Sequence, residues 1–338
     1  MSPQKKVLVT CATGNQGRGV VQHCLAADHQ VFAYVRDPTT PAATQLAQWG
    51  ATLVPGDLDD LEALRTAMDG MNSVFLTEVQ TGDCTADLQR SKNVILAAQE
   101  AAAAAATVSH VILSTAIKTG QHASFPGWET PASDSDDDHA RAHPMRQYWL
   151  NKHALETRVR AAAAAASASA SASSSDGFIR HWTIVRPGHY LQNLLPPVNA
   201  LTFPEFQQDR VLNVAWKPDT KLPWVDAGDV GIVVAAAVAD PDRYSHRTVD
   251  LAVEALTVEQ LAEKIGRVLH ESKVQVRYRS EEEVDEMIRL GSPVAAAHRW
   301  ANQVPGEDAV GNCQDDLGEL AQHLTSVDTF LTAHASRL

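Results

Sequence analysis

The chain has 338 residues, 44% of them hydrophobic and 20% charged, with 18 Gly and 16 Pro. That apolar fraction is enough for a sizeable core and excludes a wholly disordered chain, and no run of 18 apolar residues reads as a membrane span. Net charge is −13, from 28 basic and 41 acidic residues, and without a dense Lys/Arg cluster nucleic acid is not an expected partner.

Four cysteines (Cys11, Cys24, Cys84, Cys313) show no Cys-x-x-Cys pair, which argues against a disulfide scaffold or a thiolate zinc site. The histidines are scattered; His139 and His143, four apart, fall in an acidic, Pro-broken stretch, so no metal is expected. The opening residues run straight into a strand pattern with no apolar signal core, and the expectation is a soluble, cytoplasmic protein.

In chain order, 6–10 is a short β-branched run, 11–19 a Gly-rich turn and 20–27 a stretch of helical spacing. Residues 30–36 read as a strand, 41–49 as a helix and 51–54 as a third strand. An amphipathic helix over 58–68 is opened by Asp57, and strands follow at 73–77 and 110–114, with a helix ending near 106. Such alternation predicts right-handed crossovers and an α/β, doubly wound parallel sheet of the Rossmann type.

Two stretches interrupt it. Residues 130–139 form a polar, acidic loop, and the Ala/Ser-rich run at about 161–176 reads as a mobile insertion whose Ala part could extend the helix before it and whose distal part is linker. Strands return at 181–186, 248–253 and 274–279, with helices at 229–239 and 257–269, the latter capped by Thr257, and further helices to the end. The expected division is a Rossmann domain over 1–190. A smaller C-terminal α/β lobe over 191–338 follows, with elements at about 211–239 returning to the main sheet.

The turn from Thr10 to Gly17, Thr-Cys-Ala-Thr-Gly-Asn-Gln-Gly, joins the first strand to the first helix. Exposed backbone N–H groups with a helix dipole behind them hold a pyrophosphate. Thr10, Thr13, Gly14, Asn15, Gln16 and Gly17 are therefore candidate cofactor contacts. Gly14 permits close approach, Gly17 permits helix–strand packing, and Cys11 stands where G-x-x-G-x-x-G has its first glycine. Cys11 invites either a redox-sensor reading or that of a buried, inert thiol. Arg36 follows Gly17 by 19 residues at the end of the second strand, where a guanidinium suits a 2′-phosphate, although Asp37 comes next. The expected cofactor is NADP(H).

Several segments together resemble the NmrA-like family of atypical short-chain dehydrogenases/reductases. They are 9–17, Val-Arg-Asp-Pro at 35–38, Gly-Asp-Leu-Asp-Asp-Leu at 56–61, Arg-Pro-Gly-His-Tyr-Leu-Gln-Asn at 186–193, 223–231 and 256–262. The resemblance implies an NADP(H)-binding Rossmann domain and a small C-terminal domain. It also implies that Asp57 and Leu58 lie near the adenine, Thr77 and Ser114 along the cofactor, and Pro187, Gly188 and His189 near the nicotinamide. Some members are reductases, while others bind the cofactor and act as redox-sensing regulators.

Tyr148 and Lys152, four apart, share a helix face. A phenol beside an ammonium donates a proton to a substrate oxygen as hydride arrives at carbon, and in the wider superfamily this sequence resembles the lysine also holds the nicotinamide ribose. Ser114 or Thr115 would orient the substrate oxygen, and His189 is an alternative donor. Trp128, Trp149 and Trp224 would line an apolar pocket or pack in a core. The expected activity is NADPH-dependent reduction of a carbonyl, conjugated C=C or C=N bond in a small aromatic or polyketide-like metabolite, in secondary metabolism. The rivals are a non-catalytic NADP(H)-sensing regulator with a protein partner, and a lyase or isomerase on the same fold. Either a monomer or a homodimer fits.

Overall fold

The computed structural model describes residues 4–105, 107–128, 145–169, 179–270 and 274–338. Six short strands carry near-continuous apolar runs, as strands covered on both faces must. They are β1 (Lys6–Val9), β2 (Gln30–Val35), β3 (Thr52–Pro55), β4 (Ser73–Thr77), β5 (His110–Ser114) and β6 (His181–Pro187). All pair in parallel, and with β10 (Arg247–Leu251) at one edge the sheet order is β10-β6-β5-β4-β1-β2-β3. The order turns back between β1 and β4. Ligands of open α/β sheets bind at the carboxyl ends of the strands beside such a reversal.

Helices α1 (Asn15–Ala26), α2 (Pro41–Trp49), α3 (Leu61–Met68), α4 (Cys84–Ala105), α5 (Arg146–Ser169) and α6 (Val230–Ala239) complete this part of the chain. The helix after β3 starts one turn later than its sequence implies. Asp60, not Asp57, is its N-cap, accepting from Ala63 N at 3.0 Å, while Asp57 closes a turn by accepting from Asp59 N. Two aspartates three apart offer the same capping chemistry, and the turn takes the first. In the Ala/Ser stretch the Ala run extends the helix before it. Residues 161–169 continue α5 as helix, with Ala162 and Ala163 buried, as alanine's helix propensity favours. The rest of that insertion, and the acidic loop with His139 and His143, lie outside the described residues.

The chain divides into two compact units. The first comprises 1–116, 151–186 and 227–249; the second comprises 117–150, 187–226 and 250–338. Strands β8 (Val211–Val214) and β9 (Leu222–Val225) do not return to the main sheet as expected. β8 pairs with β12 (Gln275–Tyr278), and β9 lies between β7 (His189–Tyr190) and β11 (Glu254–Leu256). The return begins at Ala227. Residues 117–150 join the second unit because Phe125 and Trp149 pack their rings on Trp300, at 5.7 and 4.7 Å between centroids. That unit also holds α7 (Val258–Leu269), which opens on a full capping box of Thr257 and Gln260, and α8 (Glu281–Arg289), α9 (Pro293–Gln303), α10 (Asp308–Leu317) and α11 (Val327–Ala333). Among the described residues, no helix is long and apolar enough to cross a membrane.

Helices α1 and α6 touch backbone to backbone. A Cβ at Gly19 would overlap the carbonyl of Gly228, and one at Gly231 would overlap the carbonyl of Gly19. The contact braces the helix whose N-terminus faces the sheet's carboxyl edge. Gly19→Ala and Gly231→Ala should each cost about 1–3 kcal/mol by overpacking. Gly311→Ala, in α10 with open space around it, should instead gain up to about 1 kcal/mol from helix propensity. Urea unfolding of the three variants checks this contrast; three changes of one sign would contradict it.

Candidate functional site

The turn after β1 is made without its usual first glycine. Cys11 takes the left-handed conformation itself, at φ 51°, which most side chains avoid. Its neighbours hold it there. Thr10 is buried and donates both its N–H and its hydroxyl to Phe75 O, and Gly14 N–H closes the turn on Cys11 O at 3.0 Å. A Cβ at Gly17 would overlap that same carbonyl, so only glycine lets the loop fold back over the start of α1. Burial pushes the Cys11 thiol up to about 11, which keeps it protonated and supports the inert reading.

Gly14 is the N-cap of α1 and has no side chain with which to cap it. The first-turn N–H groups, beside exposed Thr13, Gly14 and Asn15, thus form an anion-binding end. Gln16 reaches across to Thr77 Oγ1 at 3.3 Å, and its Oε1 is buried without a hydrogen-bond partner.

Beside this loop lies a cavity of about 290 Å³. Cys11, Thr13 and Gly14 form one wall; Tyr34, Val35 and Arg36 at the end of β2 form a second. Gly56, Asp57 and Leu58 follow β3, Val79 and Thr81 follow β4, and Arg90 comes from α4. Gly56 leaves room for the Tyr34 phenol: a Cβ there would meet the ring's hydroxyl end, which donates to Asp57 O at 2.9 Å, and would have to displace it. Burial, with the nearby Asp60 and Asp57 charges, pushes that phenol up to about 12. Arg36 is exposed and makes no hydrogen bond or ion pair among the described residues. Asp37 is no rival to it. Its carboxylate is turned onto Thr39, accepting from Oγ1 at 2.6 Å and N at 2.8 Å, and the Thr39 hydroxyl holds it below the usual carboxylate range.

A second group of polar residues lies at the carboxyl ends of β4, β5 and β6. Lys152, 4% exposed, places Nζ 3.3 Å from Glu78 Oε2. Asn151 donates to Glu78 Oε1 at 3.2 Å and to Cys84 O at 2.7 Å. Ser114 is fully buried and its hydroxyl has no partner. Thr115 is different: it donates to Glu156 at 2.8 Å. Glu156, with no exposure at all, also takes both oxygens onto Arg186 at 2.7 and 2.9 Å, and Arg160 at 2.9 Å. Thr115 therefore braces a buried carboxylate, whereas the Ser114 hydroxyl is left without a partner. Glu78, Asn151, Glu156 and Arg186 went unnoticed in the sequence. The available signal was spacing: Tyr148, Lys152 and Glu156 follow one another at four-residue steps along α5.

Within the second unit, Tyr148 is half-buried and meets Trp149 edge-on at 5.0 Å. His189 sits opposite Trp224 in the sheet register, with Trp224 and Trp216 rings 5.8 and 6.2 Å away. Burial pushes its imidazole down to about 4, which favours the uncharged ring at neutral pH. Gly188 is required by close packing, because a Cβ would overlap Pro223 O; Pro187 O accepts from Ile117 N. Trp149 and Trp224 are each 1% exposed and belong to the core, whereas Trp128 carries the Arg146 guanidinium over its ring at 5.0 Å. Among the described residues, no group of three or more His, Cys, Asp or Glu is placed to hold a metal ion.

A family model described as the NmrA-like family matches residues 3–331. The chain belongs to the NmrA-like family. Among sequence relatives is the NmrA-like family domain-containing oxidoreductase malD of Malbranchea aurantiaca. It is 25% identical over 294 residues, spanning 82% of this chain and 76% of that protein. Among solved structures, Citrobacter sp. triphenylmethane reductase complexed with NADP(H) superposes with a TM-score of 0.67 at 18% identity, covering 98% and 99% of the two chains. NmrA, a negative transcriptional regulator in complex with NADP, superposes at 0.65 with 21% identity, covering 97% and 94%. Both an enzyme and a regulator thus share the NmrA-like fold seen here.

In this NmrA-like chain Arg36 is a cavity-lining cation with no ion pair among the described residues, so its role in choosing between dinucleotides can be measured. The parent protein should bind NADPH more tightly than NADH, and Arg36→Ala should narrow the gap roughly ten- to hundredfold by removing a charge-assisted contact. Fluorescence titration with both dinucleotides measures it; equal affinities in the parent would remove Arg36 from cofactor selection.

Proposed function

We propose that this chain is an NADP(H)-dependent oxidoreductase that reduces a carbonyl, conjugated C=C or C=N bond in a small aromatic or polyketide-like molecule. The observation that carries the reading is the pairing of two sites on one sheet edge. An uncapped helix end and an unpaired Arg36 adjoin one cavity, and buried Lys152 and Ser114 lie at the ends of the next strands. The orphaned hydroxyl of Ser114 and the orphaned Oε1 of Gln16 fit a polar ligand along that edge.

When bound, NADPH would supply the hydride. The Thr13–Gln16 backbone would hold the pyrophosphate, Arg36 the 2′-phosphate, and Asp57 and Leu58 would border the adenine. Thr77 would border the middle of the cofactor, with Pro187 and Gly188 toward the nicotinamide. Lys152 would donate to the ribose hydroxyls and Ser114 would orient the substrate oxygen. Tyr148, one helical turn before Lys152 on the same face of α5, would hand over the proton. The regulator reading also has an observation in its favour. Glu78 offsets the Lys152 charge at 3.3 Å, which weakens the electrostatic support a phenolate would draw from it.

Turnover by the parent separates these readings, and Tyr148→Phe tests the proton-donor role. The substitution keeps the ring and its packing, so NADPH affinity should survive while turnover falls roughly 10²–10⁴-fold. Replacing Lys152 alone would strand a buried carboxylate, so the informative partner is Lys152→Met with Glu78→Gln, which should weaken cofactor binding in a folded protein. NADPH oxidation across aromatic ketones, enones and imines provides the assay. Undiminished turnover in Tyr148→Phe would take that residue out of the mechanism.

A further inference from the structure

The side of the nucleotide cavity formed by the segments after β3 and β4 is assembled by one guanidinium. Arg90, on α4, gives Nε and Nη2 to the Asp59 carboxylate at 3.0–3.1 Å, and Nη1 to Asp87 Oδ1 at 3.1 Å. Asp87 is buried and also accepts from the Thr81 N–H at 2.8 Å and the Thr81 hydroxyl at 2.7 Å. Asp59 belongs to the turn after β3 that lines the cavity, and Thr81 to the segment after β4 that lines it too. One helical turn on, Asn93 donates to Leu58 O at 2.9 Å and fixes the same turn from the same helix.

We propose that Arg90 is a positioning residue for the adenosine half of the cofactor: its planar fork latches the two loops together and so sets the shape of the cavity, without itself binding the 2′-phosphate. All three of its nitrogens already donate to Asp59 or Asp87, whereas Arg36 on the facing wall is uncommitted. The division of labour follows from that difference. Arg36 reads the phosphate that distinguishes NADPH from NADH, and Arg90 shapes the part common to both. The inference rests on the nucleotide reading of this cavity.

A lysine has the charge but not the fork, and cannot span two carboxylates in this geometry. The latch is also largely exposed at Asp59, so breaking it there should cost little global stability. The test uses binding of NADPH, NADH, 2′,5′-ADP and 5′-AMP by calorimetry, with a thermal melt of each variant. Arg90→Met, Arg90→Lys and Asp59→Ala should each weaken all four ligands by a similar factor, about tenfold. The NADPH/NADH ratio should stay as in the parent. A loss confined to NADPH and 2′,5′-ADP, or rescue by Arg90→Lys, would show that Arg90 acts as a charge on the phosphate and overturn the proposal. Unchanged affinities in Asp59→Ala and Arg90→Met would overturn it as well. Failure of the parent to bind any of the four would overturn the nucleotide reading itself, and the latch with it.

Discussion

The nucleotide-binding unit depends on a reversal of chain direction between β1 and α1 that leaves a helix end open. The chain must pass from a buried strand to a helix in five residues, and the helix's first N–H groups must stay unpaired to face a ligand. Cys11 accepts a left-handed backbone to do this, and Gly17 gives up its side chain so that the loop folds over the helix. The glycine contact of Gly19 with Gly228 then fixes the helix from behind. Strain at one residue is offset by hydrogen bonds from its neighbours, as at many functional turns.

Charge is handled differently at the two ends of the edge. Near the nucleotide cavity a guanidinium is left solvated and unpaired, where a phosphate would meet it at little desolvation cost. At the ends of β4 to β6 Lys152, Glu78 and Glu156 are buried and each charge has a partner: Lys152 with Glu78, and the partly buried Arg186 and Arg160 with Glu156. Ion pairs removed from water add little to stability, since desolvation consumes most of the attraction. Their value is geometric. They hold Lys152 against Glu78 and Arg186 against Glu156.

Much of the fold was legible because buried parallel strands read as unbroken apolar runs, such as 7–9, 74–76 and 111–113, and because glycine spacing marks the phosphate loop. The start of α3 was misplaced because two aspartates offered equivalent caps. The partners of β8 and β9 were illegible, since a four-residue strand does not say which distant strand completes it, and β12 lies some sixty residues on. The same limit hid Glu78, Glu156, Arg186 and Arg90. An isolated charged residue in sequence reads as a solvated one, and only long-range pairing turns it into a brace. Arg36 could be singled out because its place, at the end of the second strand, carries meaning by position alone, and it lines the cavity beside the β1–α1 turn.

The proposed occupant of the cavity beside the β1–α1 turn is an NADP(H) adenosine with its 2′-phosphate on Arg36. A crystal structure of the protein grown with NADP⁺ tests it directly. The account predicts adenine beside Tyr34 and the Gly56–Leu58 turn, the pyrophosphate on the amides from Thr13 to Gln16, and the 2′-phosphate within hydrogen-bond range of the Arg36 guanidinium. Adenine bound elsewhere, or a 2′-phosphate turned to solvent with Arg36 disengaged, would contradict it.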